Sequence, residues 1–193
     1  MKKTKILALA GSLRPGSFNK KLIKIAAAAA QEAGAEVTFI DLAEYTMPIY
    51  DQEIEDRDGI PANAKKLKKM MIESDALLIA SPEYNSSISG VLKNAIDWAS
   101  RPEKEDPYYL VAFKGKTAAI MSASPGALGG LRGLVALRSI LTNIYVTVLP
   151  DQVTISTANE AFDPQDKLID SNKNEQVIAL AKRLVNVAPL LRN

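Results

Sequence analysis

The sequence contains neither cysteine nor histidine. Without cysteine there can be no disulfide, thiol nucleophile, iron–sulfur cluster or cysteine-based zinc site. Without histidine there is no Ser-His-Asp hydrolytic triad, no imidazole general base and almost none of the familiar zinc and iron sites. The carboxylates form no evident cluster either. We therefore predict no metal site and no catalytic side chain, and we expect any enzymatic chemistry to come from a cofactor.

A strong charge of either sign is also missing. The sequence has 24 lysine and arginine residues against 22 aspartate and glutamate residues, a net charge of +2. This charge is too small and too scattered to predict binding to nucleic acid or to an anionic membrane. No apolar stretch approaches the length of a membrane span. With 47% apolar residues and no cysteine, we expect a globular cytoplasmic protein whose residues 1–193 form a single domain.

Strand-like and helix-like patterns alternate along the chain. Strands are predicted at 5–10, 36–42, 75–81, 116–122 and 145–149, and helices at 17–33, 61–73, 89–100, 131–142 and 175–190, with a loop at 43–59. Because crossovers between parallel strands are right-handed, the helices would cover both faces of one parallel sheet. We predict an α/β fold, a three-layer αβα sandwich with a five-stranded parallel sheet in the order 2-1-3-4-5. The switch point would then lie between strands one and three.

The first strand leads directly into residues 11–19 (GSLRPGSFN) and then into a helix. The start of a helix offers unpaired N–H groups and the positive end of the helix dipole. Four side chains of this loop can donate hydrogen bonds to a phosphate: Ser12, Arg14, Ser17 and Asn19. The alternative is a plain strand-to-helix turn, with Ser17 as the N-cap and Arg14 in solvent. The loop lacks both the P-loop lysine and the G-x-G-x-x-G spacing, which favours a mononucleotide with one terminal phosphate.

Two further polar loops follow neighbouring strands. Residues 81–85 (SPEYN) come after strand three, and residues 122–126 (SASPG) come after strand four. A ligand at the switch point of such a sheet contacts the loops after strands one and three and, with this order, the loop after strand four. Flavin mononucleotide (FMN) is the usual mononucleotide of flavodoxin-like sheets, so we predict an FMN site at the carboxyl edge.

Four motifs resemble the NADPH-dependent FMN reductase family, the flavodoxin-like group that includes bacterial quinone, chromate and azo-dye reductases. They are residues 11–19, 82–85 (PEYN), 92–98 (LKNAIDW) and 124–130 (SPGALGG). One departure is visible, because Ser89 and Gly90 stand where many members have Pro-Gly. Serine is a good N-cap, so the following helix is still expected.

The resemblance implies noncovalent FMN, hydride taken from NADPH or NADH by a ping-pong route, and a small-molecule acceptor such as a quinone, an azo compound, chromate or free flavin. It also implies a homodimer or homotetramer with the flavin near a subunit contact. The residues that it implies for the FMN phosphate are Ser12, Arg14, Ser17, Asn19 and the backbone of Phe18. Those that it implies for the isoalloxazine ring are Pro82, Glu83, Tyr84 and Asn85, largely through their backbone, with Ser122 or Ser124 and the backbone near Gly126.

Two other functions remain open at this point. One is a flavodoxin-type electron carrier without NAD(P)H activity, although flavodoxins are usually strongly acidic and this chain is not. The other is a flavin-binding regulatory or docking protein. Steady NAD(P)H oxidation with a quinone would separate an enzyme from both. For a subunit contact, Tyr50, Tyr108 and Tyr109 are candidates, and ordinary packing within loops is the equal alternative.

Overall fold

A computed structural model describes residues 3–191. Residues 1–2 and 192–193 of the predicted domain lie outside this range. The described residues form a parallel sheet of five strands in the order β2-β1-β3-β4-β5, which confirms the predicted topology. The strands are β1 Lys5–Ala10, β2 Glu36–Asp41, β3 Ala76–Ala80, β4 Thr117–Ala123 and β5 Thr147–Ile155.

Helices cover both faces of this sheet. They are α1 Phe18–Glu32, α2 Gln52–Asp58, α3 Ala62–Glu73, α4 Gly90–Ala99, α5 Leu131–Asn143 and α6 Ser171–Val187, with short 3₁₀ helices at Leu42–Glu44 and Ala188–Leu190. In β1, Leu7 packs in the core under α3, α4 and α5, whereas Ile6 and Ala8 pack under α1 and α6. Successive side chains of a strand point to opposite faces. The inner strands are therefore apolar at nearly every position, as expected for parallel strands buried on both sides.

The predicted boundaries of two helices are explained by their caps. Helix α1 ends before Gly34, whose φ of +95° is left-handed and whose N–H donates to the Gln31 carbonyl at 2.9 Å. Helix α4 begins after Ser89, whose hydroxyl accepts the Leu92 N–H at 3.2 Å and donates to the Gly11 carbonyl at 2.6 Å. The serine that replaces the usual proline thus caps α4 and ties it to the loop after β1.

The predicted loop at 43–59 is wrong in part, because it contains α2. This helix is almost entirely polar, so it has little apolar periodicity. It is held instead by the Asp51 carboxylate, which accepts the Glu53 N–H at 2.8 Å, and by the ion pair between Glu55 and Arg101 at 2.9 Å.

Strand β5 is longer than predicted and continues to Ile155. Pro150 interrupts its apolar pattern, but β5 is an edge strand with a register shift opposite residues 118–120, where proline is tolerated. Helix α6 begins at Ser171, four residues before the predicted start, because Asp170 caps it by accepting the Lys173 N–H at 3.1 Å.

Candidate functional site

The loops after β1, β3 and β4 meet at the carboxyl edge of the sheet, where two cavities share Glu83 and Ser124 as lining residues. The smaller cavity is bordered by the loop after β1. The larger one, about 480 Å³, is bordered by the loops after β3 and β4. Of the twelve site residues predicted from the sequence, eleven line one cavity or the other. The exception is Ser122.

At the smaller cavity, the loop after β1 carries several donors that have no partner among residues 3–191. The exposed guanidinium of Arg14 makes no hydrogen bond or ion pair there. Ser17 precedes α1 with an extended backbone, but its side chain accepts no capping hydrogen bond. The backbone N–H groups of Phe18 and Asn19 are likewise unpaired, as expected in the first turn of a helix. This donor set suits a dianionic phosphate.

The side chain of Asn19 is used differently from the sequence expectation. Its Nδ2 donates to the Ala123 carbonyl at 2.8 Å, and its Oδ1 accepts the Ala123 N–H at 3.0 Å. Asn19 is only 3% exposed. The amide therefore fastens α1 to the end of β4, and the group that Asn19 leaves without a partner is its backbone N–H.

Lys20 supports the same loop from behind, a role that the sequence did not indicate. Its Nζ lies 2.6 Å from the Asp41 carboxylate and 3.4 Å from the Leu13 carbonyl. Burial alone would raise the pKa of Asp41, but the hydrogen bonds from Lys20 and the Ala43 N–H, with the charge of Lys20, lower the pKa below its ordinary value. The loop is thus anchored to the end of β2 by a buried lysine.

The carboxylate of Glu83 caps a helix on the far side of the crevice. Its Oε2 accepts the N–H groups of Arg132 at 3.1 Å and Gly133 at 3.3 Å, at the start of α5. Its Oε1 lies 2.7 Å from Nε of Arg132, and the Glu83 side chain is 8% exposed. Sequence reasoning placed Glu83 at the site but missed this partner, which lies 49 residues away and acts partly through its backbone.

The two serines after β4 have different positions. The Ser122 hydroxyl is fully buried and lacks a hydrogen-bond partner within the described residues. It lies under Gly130, where an added Cβ would be 1.9 Å from Ser122 Oγ and where φ is +89°. Ser124 lines both cavities, and its hydroxyl accepts the Gly126 N–H at 3.3 Å. Between the two candidates, Ser124 borders the crevice and Ser122 lies beneath it.

The tyrosines proposed for a subunit contact lie in several places. Tyr50 packs inside the chain, edge-on to Trp98 with ring centroids 5.0 Å apart. Tyr108 lies beside Lys114, which also contacts Tyr145. Lys114 and Tyr145 come shortly before β4 and β5, so this cluster lies at the amino edge of the sheet, opposite to the crevice. Tyr50 therefore fits the alternative of packing within the chain, whereas Tyr108 and Tyr109 are 49% and 65% exposed and stay candidates for a subunit contact. Tyr84 is half-exposed and lines the smaller cavity.

Across residues 3–191, no group of three or more acidic, histidine or cysteine side chains is placed to hold a metal ion. In the same part of the chain, no helix is both long enough and apolar enough to cross a membrane.

Comparison with known proteins gives consistent results. Residues 4–160 match the family described as NADPH-dependent FMN reductase. An NAD(P)H-dependent FMN reductase of Pseudomonas aeruginosa is 40% identical over 180 residues, which cover 90% of this chain and 89% of the relative. A quinone reductase of Escherichia coli K12 is 36% identical over 151 residues, 76% of this chain and 74% of the relative. Among solved structures, the flavoenzyme NAD(P)H:(acceptor) oxidoreductase FerB of Paracoccus denitrificans superposes with a TM-score of 0.78 at 27% identity, covering 97% of this chain and 98% of that one.

Proposed function

Because the chain belongs to the NADPH-dependent FMN reductase family, as its motifs predicted, we propose that it binds FMN at the carboxyl edge of the sheet and acts as an NAD(P)H-dependent quinone reductase. The observation that carries this proposal is the meeting of unpaired phosphate donors and a larger cavity at the switch point. When bound, FMN supplies the redox chemistry by accepting hydride from NAD(P)H and passing it to the acceptor. The chain's own residues bind and orient it.

The smaller cavity is proposed to hold the phosphate of FMN. Arg14 offers a planar pair of donors, Ser12 and Ser17 offer hydroxyls, and Phe18 and Asn19 offer backbone N–H groups at the positive end of α1. A terminal monoester presents three oxygens to such a set. In FAD the corresponding phosphate is bridged to a second phosphate and is no longer terminal. FAD should therefore bind less tightly than FMN.

The larger cavity is proposed to hold the isoalloxazine ring between the loops after β3 and β4. Glu83 and Asn85 line this cavity on one side, and Ser124 and Gly126 on the other. Pro82 and Tyr84 line the smaller cavity and would border the ring from there. The resolved position of Ser122 beneath the crevice favours Ser124 as the serine that contacts the ring. No side chain is assigned a proton-transfer role, since solvent can deliver protons to an open crevice.

A second copy of the chain is proposed to cover part of this crevice, in a homodimer or homotetramer. Leu128, Leu131 and Val135 are 50%, 40% and 62% exposed. Leu128 lines the larger cavity, and Leu131 and Val135 lie one turn apart at the start of α5, which follows it. Apolar side chains grouped in this way are typical of an interface. A covering subunit would also reduce the access of water to the ring, while the part of the crevice left open would still admit the solvent that delivers protons.

We further propose that residues 1–193 act as one FMN-binding domain in the cytoplasm, with small-molecule acceptors rather than nucleic acid or membranes as partners. The absence of cysteine and the near-neutral charge support this assignment.

Flavin titration followed by an NAD(P)H assay tests the proposed function. Flavin-free protein should bind FMN more tightly than FAD, and the FMN complex should oxidise NADPH or NADH steadily when a benzoquinone is present. Failure to bind FMN, or tighter binding of FAD, would refute the cofactor assignment. Binding of FMN without NAD(P)H oxidation would indicate an electron carrier instead.

A further inference from the structure

We propose that the Glu83 carboxylate is a positioning group for the ring section of the crevice. By capping α5, it would fix the distance between the loop after β3 and the loop after β4. This inference rests on the proposed function, because it assigns a role in holding the flavin ring. The carboxylate itself need not contact the flavin.

The contacts of Glu83 join two loops that otherwise approach the crevice separately. The residue belongs to the loop after β3, whereas its partners, Arg132 and Gly133, are the second and third residues of α5. Their N–H groups are among those that no helix can pair internally. Glu83 is therefore a cap supplied by a distant loop, in a helix whose own N-cap residue, Gly130, has no side chain to do so.

The packing around Gly133 shows that the start of α5 and the loop after β3 lie at close range. A Cβ added to Gly133 would lie 3.1 Å from Glu83 Cβ and 3.2 Å from the Ser87 carbonyl oxygen. The start of α5 therefore rests directly on residues 83–87. With backbone in contact on both sides, a change in the cap shifts the walls of the larger cavity rather than being absorbed by flexible side chains.

Electrostatic attraction also favours the contact between Glu83 and the start of α5. The N-terminal end of α5 is positive, and the Arg132 guanidinium, 61% exposed, adds a full positive charge at the border of the larger cavity. The single negative charge of Glu83 contacts both and offsets most of this positive charge. Its amide analogue, Glu83→Gln, removes the charge but keeps an oxygen that can accept the two N–H groups, so it separates capping from neutralisation.

The experiment compares four variants with two flavins. Glu83→Ala removes the cap, Glu83→Gln keeps its acceptor, and Arg132→Ala removes the ion pair while keeping the backbone N–H. Asp170→Ala is the matched control, because it deletes the cap of α6, which does not border the crevice. Affinity is measured for FMN and for riboflavin, which has the ring but no phosphate. Hydrogen exchange of the Arg132 and Gly133 N–H groups is measured in the flavin-free protein.

We expect Glu83→Ala to speed exchange at both N–H groups. It should weaken FMN and riboflavin by the same factor, about five- to tenfold, from the cost of about 1 kcal/mol typical of a lost cap. Glu83→Gln should weaken both flavins less than Glu83→Ala does, since its amide oxygen can still accept the two N–H groups. Arg132→Ala should leave the exchange of the two N–H groups slow, because the Glu83 cap is retained. Asp170→Ala should lower stability while both flavin affinities hold.

Unchanged riboflavin affinity in Glu83→Ala, with exchange accelerated, would overturn the positioning role. An equal loss in Asp170→Ala would also overturn it, because the effect would then be general destabilisation. If the parent protein binds neither flavin, the proposed function fails, and the exchange data alone report on the cap. Should Glu83→Ala not fold, Glu83→Asp, one methylene shorter, carries the same expectation.

Discussion

Replacement of Arg14 by alanine tests the phosphate end of the crevice most directly. The guanidinium is exposed and has no partner within the described residues, so its loss removes no internal contact. Stability of the flavin-free protein should therefore change by less than about 0.5 kcal/mol, as for an ordinary surface substitution. A charge-assisted hydrogen bond to phosphate contributes about 1.5–3 kcal/mol. We therefore expect Arg14→Ala to weaken FMN binding by about 10- to 150-fold.

Fluorescence titration with FMN and riboflavin provides the assay. Riboflavin affinity should be the same in Arg14→Ala and the parent protein, because riboflavin has no phosphate. Arg14→Lys should fall between them, since lysine keeps the charge but loses the planar fork. Arg183→Ala serves as a matched control and should bind FMN normally, because Arg183 is an exposed arginine of α6 that pairs with Asp151 of β5. Equal FMN affinity in Arg14→Ala and the parent protein would show that Arg14 is merely solvated.

Three further predictions concern stability and assembly. Asp41 has a folded-state pKa below its ordinary value, so its ionised form stabilises the fold above about pH 4, and this contribution is lost as the pH falls through the folded-state pKa. Asp41→Asn should therefore lower the free energy of unfolding at pH 7 by about 1–2 kcal/mol and flatten its decline in acid, as measured by urea denaturation at several pH values. Gly130→Ala should cost about 2–4 kcal/mol, because its φ is left-handed and its Cβ would overlap Ser122; near-normal stability would contradict this close approach. Val135→Glu should shift the mass in light scattering towards the monomer, and a parent protein that is monomeric and fully active at assay concentrations would refute the proposed assembly.

Much of the fold was predictable because burial on both faces makes the inner strands apolar throughout. The predicted order of the five strands was that of flavodoxin-like sheets, and right-handed crossovers placed the helices on both faces. The caps at Ser89 and Gly34 followed from local backbone chemistry. What could not be predicted depended on tertiary contacts. Helix α2 has few apolar residues and is held by contacts such as Glu55 with Arg101. Strand β5 continues past Pro150 only because it lies at an edge.

The candidate site shows the same division. The positions of Ser17, Arg14 and Ser124 at the crevice followed from loops placed after parallel strands. The hydrogen bonds of the Asn19 and Glu83 side chains could not be predicted from the sequence, because their partners are backbone groups far away in the sequence. A backbone N–H exists at nearly every residue, so no residue type marks it as the partner of a distant carboxylate or amide.

The double hydrogen bond between Asn19 and Ala123 has a consequence for the order of folding. It joins residues 104 positions apart, so the two halves of the crevice meet only after β4 has entered the sheet. Contacts that close so long a loop are slow to form. During synthesis, a chain of which residues 11–19 have emerged but β4 has not would hold only one half of the proposed FMN site. FMN would therefore be captured late, and it should slow unfolding of the finished protein while leaving the rate of folding unchanged.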